Sequence, residues 1–397
     1  MPDSHFFAES PESVGIDSSK LQALFERAEK EVREGLLPSV QIAVACQGRI
    51  AAMRTFGSVE IAGVSAPASD ETQYVIYSAT KAITSAAAWL LIEEGKLRLD
   101  ERVADVIPEF ASHGKTSVKV EHLFTHSAGF PAAPYAQEEW NDRQARLERY
   151  ASWRLDWEPG SRFIYHPTSS MWVIADLIER RADCDYKEFV RERIGKPLGL
   201  PEFRVGRPQG EQQRVADVVH VGEELSKQER AKLGWPDKIE TEVNEPMLQG
   251  FNDPAVRQAG APGAGGIMTA AEIALFYQAL LNGGQALGGP PIWKPETLEM
   301  ARQVRSGDMT DIMFHKPALR GLGLIISGDK TRNFRGFGHT NSELAFGHNG
   351  AGGQLAWGDP ATGISLGYCT NAHDRNELRQ GRRGVGVSSR AASCAID

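Results

Sequence analysis

The sequence predicts an α/β (α+β) fold of two domains, in which both chain ends build one antiparallel sheet flanked by helices. Strand-forming runs lie near the two termini, helical patterns fill the middle, and 397 residues suffice for two packed bodies. We expect residues 1–75 and 270–397 to form the α/β domain, and residues 76–269 to form a mostly helical domain.

The N-terminal part of the chain predicts one helix and one hairpin. Residues 19–34 carry apolar side chains at helical spacing, and Asp17 precedes them as a candidate N-cap. Residues 39–57 form two strand-like runs that meet at Gln47-Gly48, which predicts a β-hairpin.

The middle of the chain is mainly helical. Residues 74–97 (YVIYSATKAITSAAAWLLIEEGKL) predict an apolar helix with Gly95 at its C-terminal end, and shorter helical patterns follow. Residues 201–250 are rich in charge, Pro and Gly with little periodicity, so we expect a loop-rich insertion there. Residues 260–284 predict a Gly-rich loop and then a helix with Thr269 as its N-cap.

The C-terminal third returns to strands, first at residues 319–327 and then in a hairpin. The hairpin consists of residues 352–357 and 363–371, which flank the turn sequence GDPAT. The tail after Asn371 is rich in Gly, Arg and Ser, and its pattern indicates no particular element.

Composition and charge argue against several kinds of partner. The chain is 41% apolar and 24% charged, and a net charge of −8 argues against nucleic acid or an anionic membrane as the main partner. No secretory signal is visible, and the 4 cysteines are scattered without metal or redox spacing. We therefore expect a cytoplasmic protein with reduced thiols.

The motif S-x-x-K occurs more than once, so its context has to distinguish the copies. Composition alone predicts about one match. One copy lies in a polar loop and another follows a strand into a turn, so we expect neither to hold its side chains in a fixed relation. Only the first copy opens a helix. In chain order the copies are Ser78–Lys81, Ser112–Lys115 and Ser327–Lys330.

Ser78 and Lys81 have the spacing that nucleophilic catalysis needs, because residues three apart share one face of a helix. A serine hydroxyl becomes a good nucleophile when a neighbouring base takes its proton, and a buried lysine amine can be that base. The helix N-terminus offers N–H groups to a developing oxyanion. Taken alone, the stretch also fits a serine near a helix cap with a lysine that reaches solvent.

Longer segments resemble the serine β-lactamase-like and penicillin-binding-protein-like superfamily. Within it, the chain is most similar to the class C-like branch that includes the family VIII carboxylesterases. The resemblance covers about residues 12–371 in the right order. The segments that carry it are YSATKAITSAAAWLLIEEGKLRLDERVADVIPEF, VEHLFTHSAGFP, GAPGAGGIMTAAEIALFYQALLNGG and FGHNGAGGQLAWGDPATGISLGYCTN.

This resemblance implies a β-lactamase-like fold, with the active site in a cleft between the domains and no cofactor or metal. Ser78 matches the acylated nucleophile and Lys81 matches the lysine that activates it. Tyr165, in SRFIYHPTSS, matches the tyrosine that shares the base role and protonates the leaving group. The N–H groups of Ser78 and Ala351 would form the oxyanion hole.

The chain departs from the family pattern at two motifs. Pro167 replaces the asparagine of Y-x-N, and K-T-G reads His348-Asn349-Gly350, so the lysine that pairs with a substrate carboxylate is absent. Both changes favour uncharged esters over β-lactams or peptides. Gly350 would still let its strand approach the acyl group closely. The tail after Asn371 also matches poorly the helix that usually ends the family's fold.

We therefore expect a serine carboxylesterase that acts on small or short-chain carboxylic esters through an acyl-enzyme, with weak β-lactamase activity as an open question. Its expected partner is a small ester substrate, and homo-oligomer formation stays open. The alternatives are a β-lactamase, D-aminopeptidase or other amide hydrolase, or a transacylase, on the same three residues. A non-catalytic binding protein on this scaffold is a further alternative, against which the intact Ser78, Lys81 and Tyr165 argue.

Three other patterns suggest chemistry but lack the required context. Ser365 lies in a G-x-S-x-G sequence, yet it is predicted mid-strand and not at a strand-to-helix turn. His122 and His126 have the spacing of zinc ligands but no evident third ligand. Residues 263–266 are Gly-rich without the G-K-[ST] of a phosphate loop.

Overall fold

A computed structural model describes residues 2–235 and 243–396 of the chain. The strands are β1 (Ser39–Cys46), β2 (Arg49–Ile61), β3 (Val64–Pro67), β4 (Tyr74–Val75), β5 (Arg204–Val205), β6 (Val219–Val221), β7 (Gly266–Met268), β8 (Thr310–Asp311), β9 (Lys316–Pro317), β10 (Ile325–Ile326), β11 (Phe346–Gly347), β12 (Leu355–Asp359), β13 (Ile364–Cys369) and β14 (Ala372–Asp374). The α-helices are α1 (Ser18–Arg33), α2 (Thr80–Glu93), α3 (Val103–Val106), α4 (Val120–Phe124), α5 (Arg143–Ser152), α6 (Ser169–Ala182), α7 (Tyr186–Val190), α8 (Lys227–Lys232), α9 (Glu245–Gln249), α10 (Pro254–Ala259), α11 (Ala270–Leu281), α12 (Pro295–Arg302) and α13 (Glu377–Ala392). Within the described residues, no helix combines the length and the apolar character needed to cross a membrane.

Both chain ends contribute to one seven-stranded antiparallel sheet, as predicted. Its strand order is β10-β11-β12-β13-β1-β2-β3, so the N-terminal hairpin joins the C-terminal strands where β1 pairs with β13. The two faces of β1 are both buried. Val40, Ile42 and Val44 face the core under α1 and α13, whereas Ala43 and Ala45 face the core that contains α11. The sheet is therefore covered by helices on both sides.

Local signals placed several element ends correctly. The Asp17 carboxylate accepts hydrogen bonds from two backbone N–H groups in the first turn of α1. Thr269 caps α11, and Glu272 completes a capping box with it. The β1–β2 hairpin turns at Gln47-Gly48, where both residues have positive φ, as a tight hairpin turn requires.

The predicted helix over residues 74–97 is shorter than expected. Tyr74 and Val75 form strand β4 and pair with β7, and Tyr77 has a φ of +45°, so the α-helix begins only at Thr80. Its C-terminal end is as predicted, because Gly95 adopts a positive φ just beyond it.

The tail after Asn371, to which the sequence pattern assigned no element, forms β14 and the 16-residue helix α13. Val387 and Ala391 lie one turn apart on its buried face, and the helix packs against α1 and the sheet. The buried guanidinium of Arg383 donates to Glu31 and Asp374, both at 2.8 Å. Tertiary contacts thus hold a helix whose Gly-rich composition has low helix propensity.

The described part of the segment 201–250 is rich in loops and turns, and short elements connect it to the rest of the fold. Strand β5 pairs with β7, β6 pairs with β14, and Val215 and Val218 are buried. Residues 236–242 of that prediction lie outside the described residues. The strand expected over residues 319–327 is reduced to β10. The domain boundaries at residues 75/76 and 269/270 stay predictions.

We predict that Arg383→Met lowers the free energy of unfolding by about 3 kcal/mol, because it leaves two buried carboxylates without one of their partners. Urea unfolding followed by circular dichroism measures the change. The neighbouring Arg382 is exposed, so Arg382→Met is the matched control and should change stability by less than about 0.5 kcal/mol. Equal losses in both variants would contradict a stabilising role for the Arg383 contacts.

Candidate active site

Ser78 lies in a one-turn 3-10 helix, Tyr77–Ala79, directly before α2. The φ of +45° at Tyr77 is uncommon for an aromatic residue and indicates local backbone strain. Side-chain contacts hold Tyr77 in this conformation. Its ring contacts Phe251 and His373, and its hydroxyl donates to the Leu248 carbonyl at 3.2 Å. Ser78 remains partly exposed between two buried neighbours.

The structure brings Ser78, Lys81 and Tyr165 into mutual contact. Lys81 Nζ lies 3.2 Å from Ser78 Oγ, and the Tyr165 hydroxyl lies 3.0 Å from the same oxygen. Lys81 Nζ also lies 5.1 Å from the centre of the Tyr165 ring. Two groups that can exchange protons with Ser78 therefore meet its oxygen within hydrogen-bond distance.

Lys81 is fully buried, and a Gly-rich loop fixes its amine. Lys81 Nζ donates to the Gly263 carbonyl at 2.9 Å, and within residues 2–235 and 243–396 it takes part in no ion pair. A Cβ at Gly263 would lie 3.1 Å from Nζ, so this close approach favours glycine. The loop over residues 263–266, which matched no phosphate-binding motif, thus supports the amine. Sequence reasoning missed this role.

The third motif, His348-Asn349-Gly350 at the place of the family's K-T-G, follows β11 and lies against the Ser78 turn. The Asn349 side chain serves the fold, because its Nδ2 donates to the Gly336 carbonyl at 3.0 Å and its Oδ1 accepts from Ala356 N. A Cβ at Gly350 would collide with the Ile76 carbonyl oxygen. Gly350 was expected to give room to the acyl group, but in the structure it gives room to the backbone ahead of Ser78.

The amide groups expected to form the oxyanion hole have no other role in the part of the chain that the structure describes. Neither Ser78 N nor Ala351 N donates a hydrogen bond there. Ala351 directly follows the close contact of Gly350 with the Ser78 turn. Both N–H groups thus remain available to an oxygen that develops negative charge.

Three buried histidines lie near Tyr165 and stay neutral at ordinary pH: His126 and His348 contact its ring, and His166 follows it in the chain. Burial, reinforced by the charges of Lys81 and Arg320, lowers the pKa of His348 far below its usual range, and burial does the same for His126. Burial also lowers the pKa of His166 to about 4. His348 therefore brings no positive charge to the place of the lysine that the family pattern has there.

Arg320 is a site residue that the sequence motifs did not reveal. Its guanidinium carbon lies 5.7 Å from the centre of the Tyr165 ring and 5.2 Å from that of Phe163. The residue is only 8% exposed, and its Nε and Nη1 are buried without hydrogen-bond partners. An arginine within the apolar run LRGLGLIIS was the available signal, but it belonged to no motif.

The Ser112–Lys115 pair corrects another expectation, because its side chains do hold a fixed relation. Lys115 Nζ donates to Ser112 Oγ at 3.1 Å, to the Ser112 carbonyl at 2.8 Å and to the Trp153 carbonyl. All three ammonium donors are thus used, and Ser112 Oγ itself donates to the Ala151 carbonyl. Burial lowers the pKa of Lys115 to about 8, yet the arrangement joins loops and leaves Ser112 no free base.

The remaining candidates serve the fold. Ser365 is buried in β13, where its Oγ donates to the Ala274 carbonyl at 2.7 Å. His122 Nδ1 and His126 Nδ1 each accept a backbone N–H. Lys330 is exposed, and no hydrogen bond joins it to Ser327. Among the described residues, no cluster of three or more His, Cys, Asp or Glu side chains could hold a metal ion.

We predict that Gly350→Ala lowers kcat/KM on the expected ester substrates by about 100-fold, because its Cβ must displace the Ser78 turn or the segment that carries Ala351. Initial rates measure the loss, and the melting temperature shows whether the variant folds. Gly381→Ala in α13 is the control, since its Cβ meets no atom within 4 Å. It should keep full activity, and equal activity in both variants would contradict the predicted collision.

Comparisons with known proteins show the family to which the chain belongs. The model of the family described as Beta-lactamase matches residues 24–388. The chain is 26% identical to the Escherichia coli (strain K12) protein named "Putative D-alanyl-D-alanine carboxypeptidase", over 91% of this chain and 84% of that protein. It is 24% identical to the esterase/beta-lactamase LipL of Mycobacterium tuberculosis (strain ATCC 25618 / H37Rv), over 77% and 70% of the two chains. The crystal structure of a family VIII carboxylesterase superposes with a TM-score of 0.78 at 25% identity, over 95% of this chain and 99% of that chain. The chain therefore belongs to the Beta-lactamase family and is a hydrolase of the serine β-lactamase type.

Proposed function

We propose that the protein is a carboxylesterase that hydrolyses small or short-chain carboxylic esters through an acyl-enzyme on Ser78. The observation that carries this proposal is the pair of contacts to Ser78 Oγ, at 3.2 Å from Lys81 Nζ and 3.0 Å from the Tyr165 hydroxyl. No other serine proposed from the sequence has a free base beside its hydroxyl.

The reaction proceeds in two balanced steps. Lys81 or Tyr165, in its deprotonated form, takes the Ser78 proton while Oγ attacks the ester carbonyl carbon. The N–H groups of Ser78 and Ala351 stabilise the oxyanion, and the bond to the alcohol oxygen then breaks. Tyr165 gives a proton to the departing alcohol, and where Lys81 took the Ser78 proton, that proton then passes to Tyr165. The same pair takes a proton from water, whose oxygen attacks the acyl carbonyl carbon. The bond to Ser78 Oγ then breaks, Oγ regains that proton, and the carboxylic acid leaves.

Two features favour an ester over an amide substrate. Pro167 removes the amide side chain that the family uses in its second motif, and neutral His348 replaces the lysine of the third motif. An alcohol is also a better leaving group than an amine, so ester cleavage tolerates a less complete site. The similarity to a family VIII carboxylesterase over nearly the whole of both chains supports the same choice.

Hydrolysis of amides by the same three residues is the second candidate, and the names of two relatives favour it. Rates on p-nitrophenyl acetate, p-nitrophenyl butyrate and a chromogenic cephalosporin separate the two candidates. We expect kcat/KM on the better ester to exceed that on the cephalosporin by about 100-fold or more, since the amide-binding side chains are absent. A cephalosporin rate equal to the ester rates would favour the second candidate.

We predict that Ser78→Ala lowers ester hydrolysis by about 10⁴-fold or more, because the acyl-enzyme can no longer form. Ser112→Ala is the matched control, since Ser112 also contacts a buried lysine but lacks a free base. Intact mass after treatment with a fluorophosphonate, followed by peptide mapping, should place a single label on Ser78. A label on another serine, or equal activity in Ser78→Ala and wild type, would overturn the assignment.

A further inference from the structure

The Arg320 guanidinium is a mostly buried cation for which the described residues supply no hydrogen-bond acceptor. Nε and Nη1 are buried and unpartnered, and no hydrogen bond from Nη2 is found anywhere in the described ranges 2–235 and 243–396. Arg320 takes part in no ion pair in those ranges either. Its backbone N–H, by contrast, is satisfied by Ser306 Oγ at 3.0 Å, so the backbone is anchored and only the side chain lacks partners.

Aromatic rings next to the Arg320 guanidinium offset only part of the cost of burying it. The rings of Phe163 and Tyr165 lie 5.2 and 5.7 Å from the guanidinium carbon and attract its charge. A ring face, however, offers no lone pair of the kind that a carboxylate or carbonyl oxygen gives to an N–H group. Burying polar donors without acceptors is unfavourable, and a native fold rarely keeps such an arrangement without a use.

The position of Arg320 indicates which part of a substrate could supply the acceptor. Tyr165 contacts Ser78 Oγ through its hydroxyl and Arg320 through its ring. In the proposed reaction Tyr165 gives a proton to the departing alcohol, so the alcohol lies on the Tyr165 side of Ser78. A group attached to that alcohol is then the part of the substrate nearest to Arg320.

We propose that Arg320 binds a carboxylate on the alcohol portion of the ester, and that esters of carboxylate-bearing alcohols or phenols are the preferred substrates. This inference rests on the proposed function. It replaces the expectation, drawn from the missing third-motif lysine, that the substrates are uncharged. A carboxylate is the planar acceptor that an arginine edge pairs with best, and a buried setting strengthens the pair.

Matched esters test this assignment. 4-Acetoxybenzoate and 4-acetoxybenzamide share the acetyl group and the phenol, and differ in one carboxylate on the leaving group. We expect wild type to favour 4-acetoxybenzoate in kcat/KM by about tenfold or more, as a charge-assisted contact allows. In Arg320→Gln the ratio should fall to about one, and Arg320→Lys should restore part of it.

Arg162→Gln is the control for a change in charge near the site. Arg162 precedes Phe163 in the same segment, but it is exposed and stacks on Trp157. Its loss should leave the ratio at the wild-type value. A wild-type ratio near one, or a ratio that Arg320→Gln leaves unchanged, would overturn the proposal. An equal loss on both esters would also overturn it, because Arg320 would then act through Tyr165 alone.

Binding of the leaving group tests Arg320 independently of turnover. In the Ser78→Ala background, 4-hydroxybenzoate should bind at least about tenfold more tightly than 4-hydroxybenzamide, as measured by isothermal titration calorimetry. The double variant with Arg320→Gln should lose that difference, and equal binding in the single variant would overturn the proposal. If wild type hydrolyses no ester, the proposed function fails, while the calorimetry still decides whether Arg320 binds a carboxylate.

Discussion

The burial of the Lys81 amine is the constraint on which the active site depends. A charged or polar nitrogen with no exposed surface needs acceptors, and Lys81 Nζ finds them in Ser78 Oγ and the Gly263 carbonyl. To supply them, the turn before α2 has to present Ser78, and the loop ahead of β7 has to bring a glycine carbonyl within 3 Å of the amine. Two elements separated by more than 180 residues are thereby fixed relative to each other.

The same constraint explains why unfavourable backbone and packing features concentrate around Ser78. Tyr77 adopts a left-handed φ, Gly350 approaches the Ile76 carbonyl too closely for any side chain, and Arg320 is buried without acceptors. The Tyr77 conformation and the buried Arg320 cost stability, and all three features lie beside Ser78 or beside Tyr165. Sites that bind and react commonly retain such features, because the geometry needed for chemistry differs from the geometry of lowest energy.

The sequence could predict those features that are encoded locally. Asp17 and Thr269 indicate, as N-caps, where their helices begin, and Gln47-Gly48 indicates where its hairpin turns. A few neighbouring residues determine each of these conformations. The helix α13 escaped prediction because its Gly-rich sequence has little helical propensity, and contacts with Glu31 and Asp374 hold it in place. The motifs likewise led to Ser78, Lys81 and Tyr165, but contained no information on the partner of Lys81 in the loop at residue 263.

The sequence motifs alone also give a wrong impression of the charge of the candidate site. Reading His348 in place of a lysine suggests that a cation has been lost, and burial indeed keeps His348 neutral. Yet Arg320 lies against Tyr165 from a different part of the chain, and burial lowers the pKa of its guanidinium while the charges of Tyr165 and Asp311 act against that effect. Positive charge near Ser78 and Tyr165 is a property of the folded neighbourhood, which a segment outside every sequence motif can supply. Comparing members of this family by their sequence motifs alone therefore leaves out a residue that three-dimensional packing places beside Tyr165.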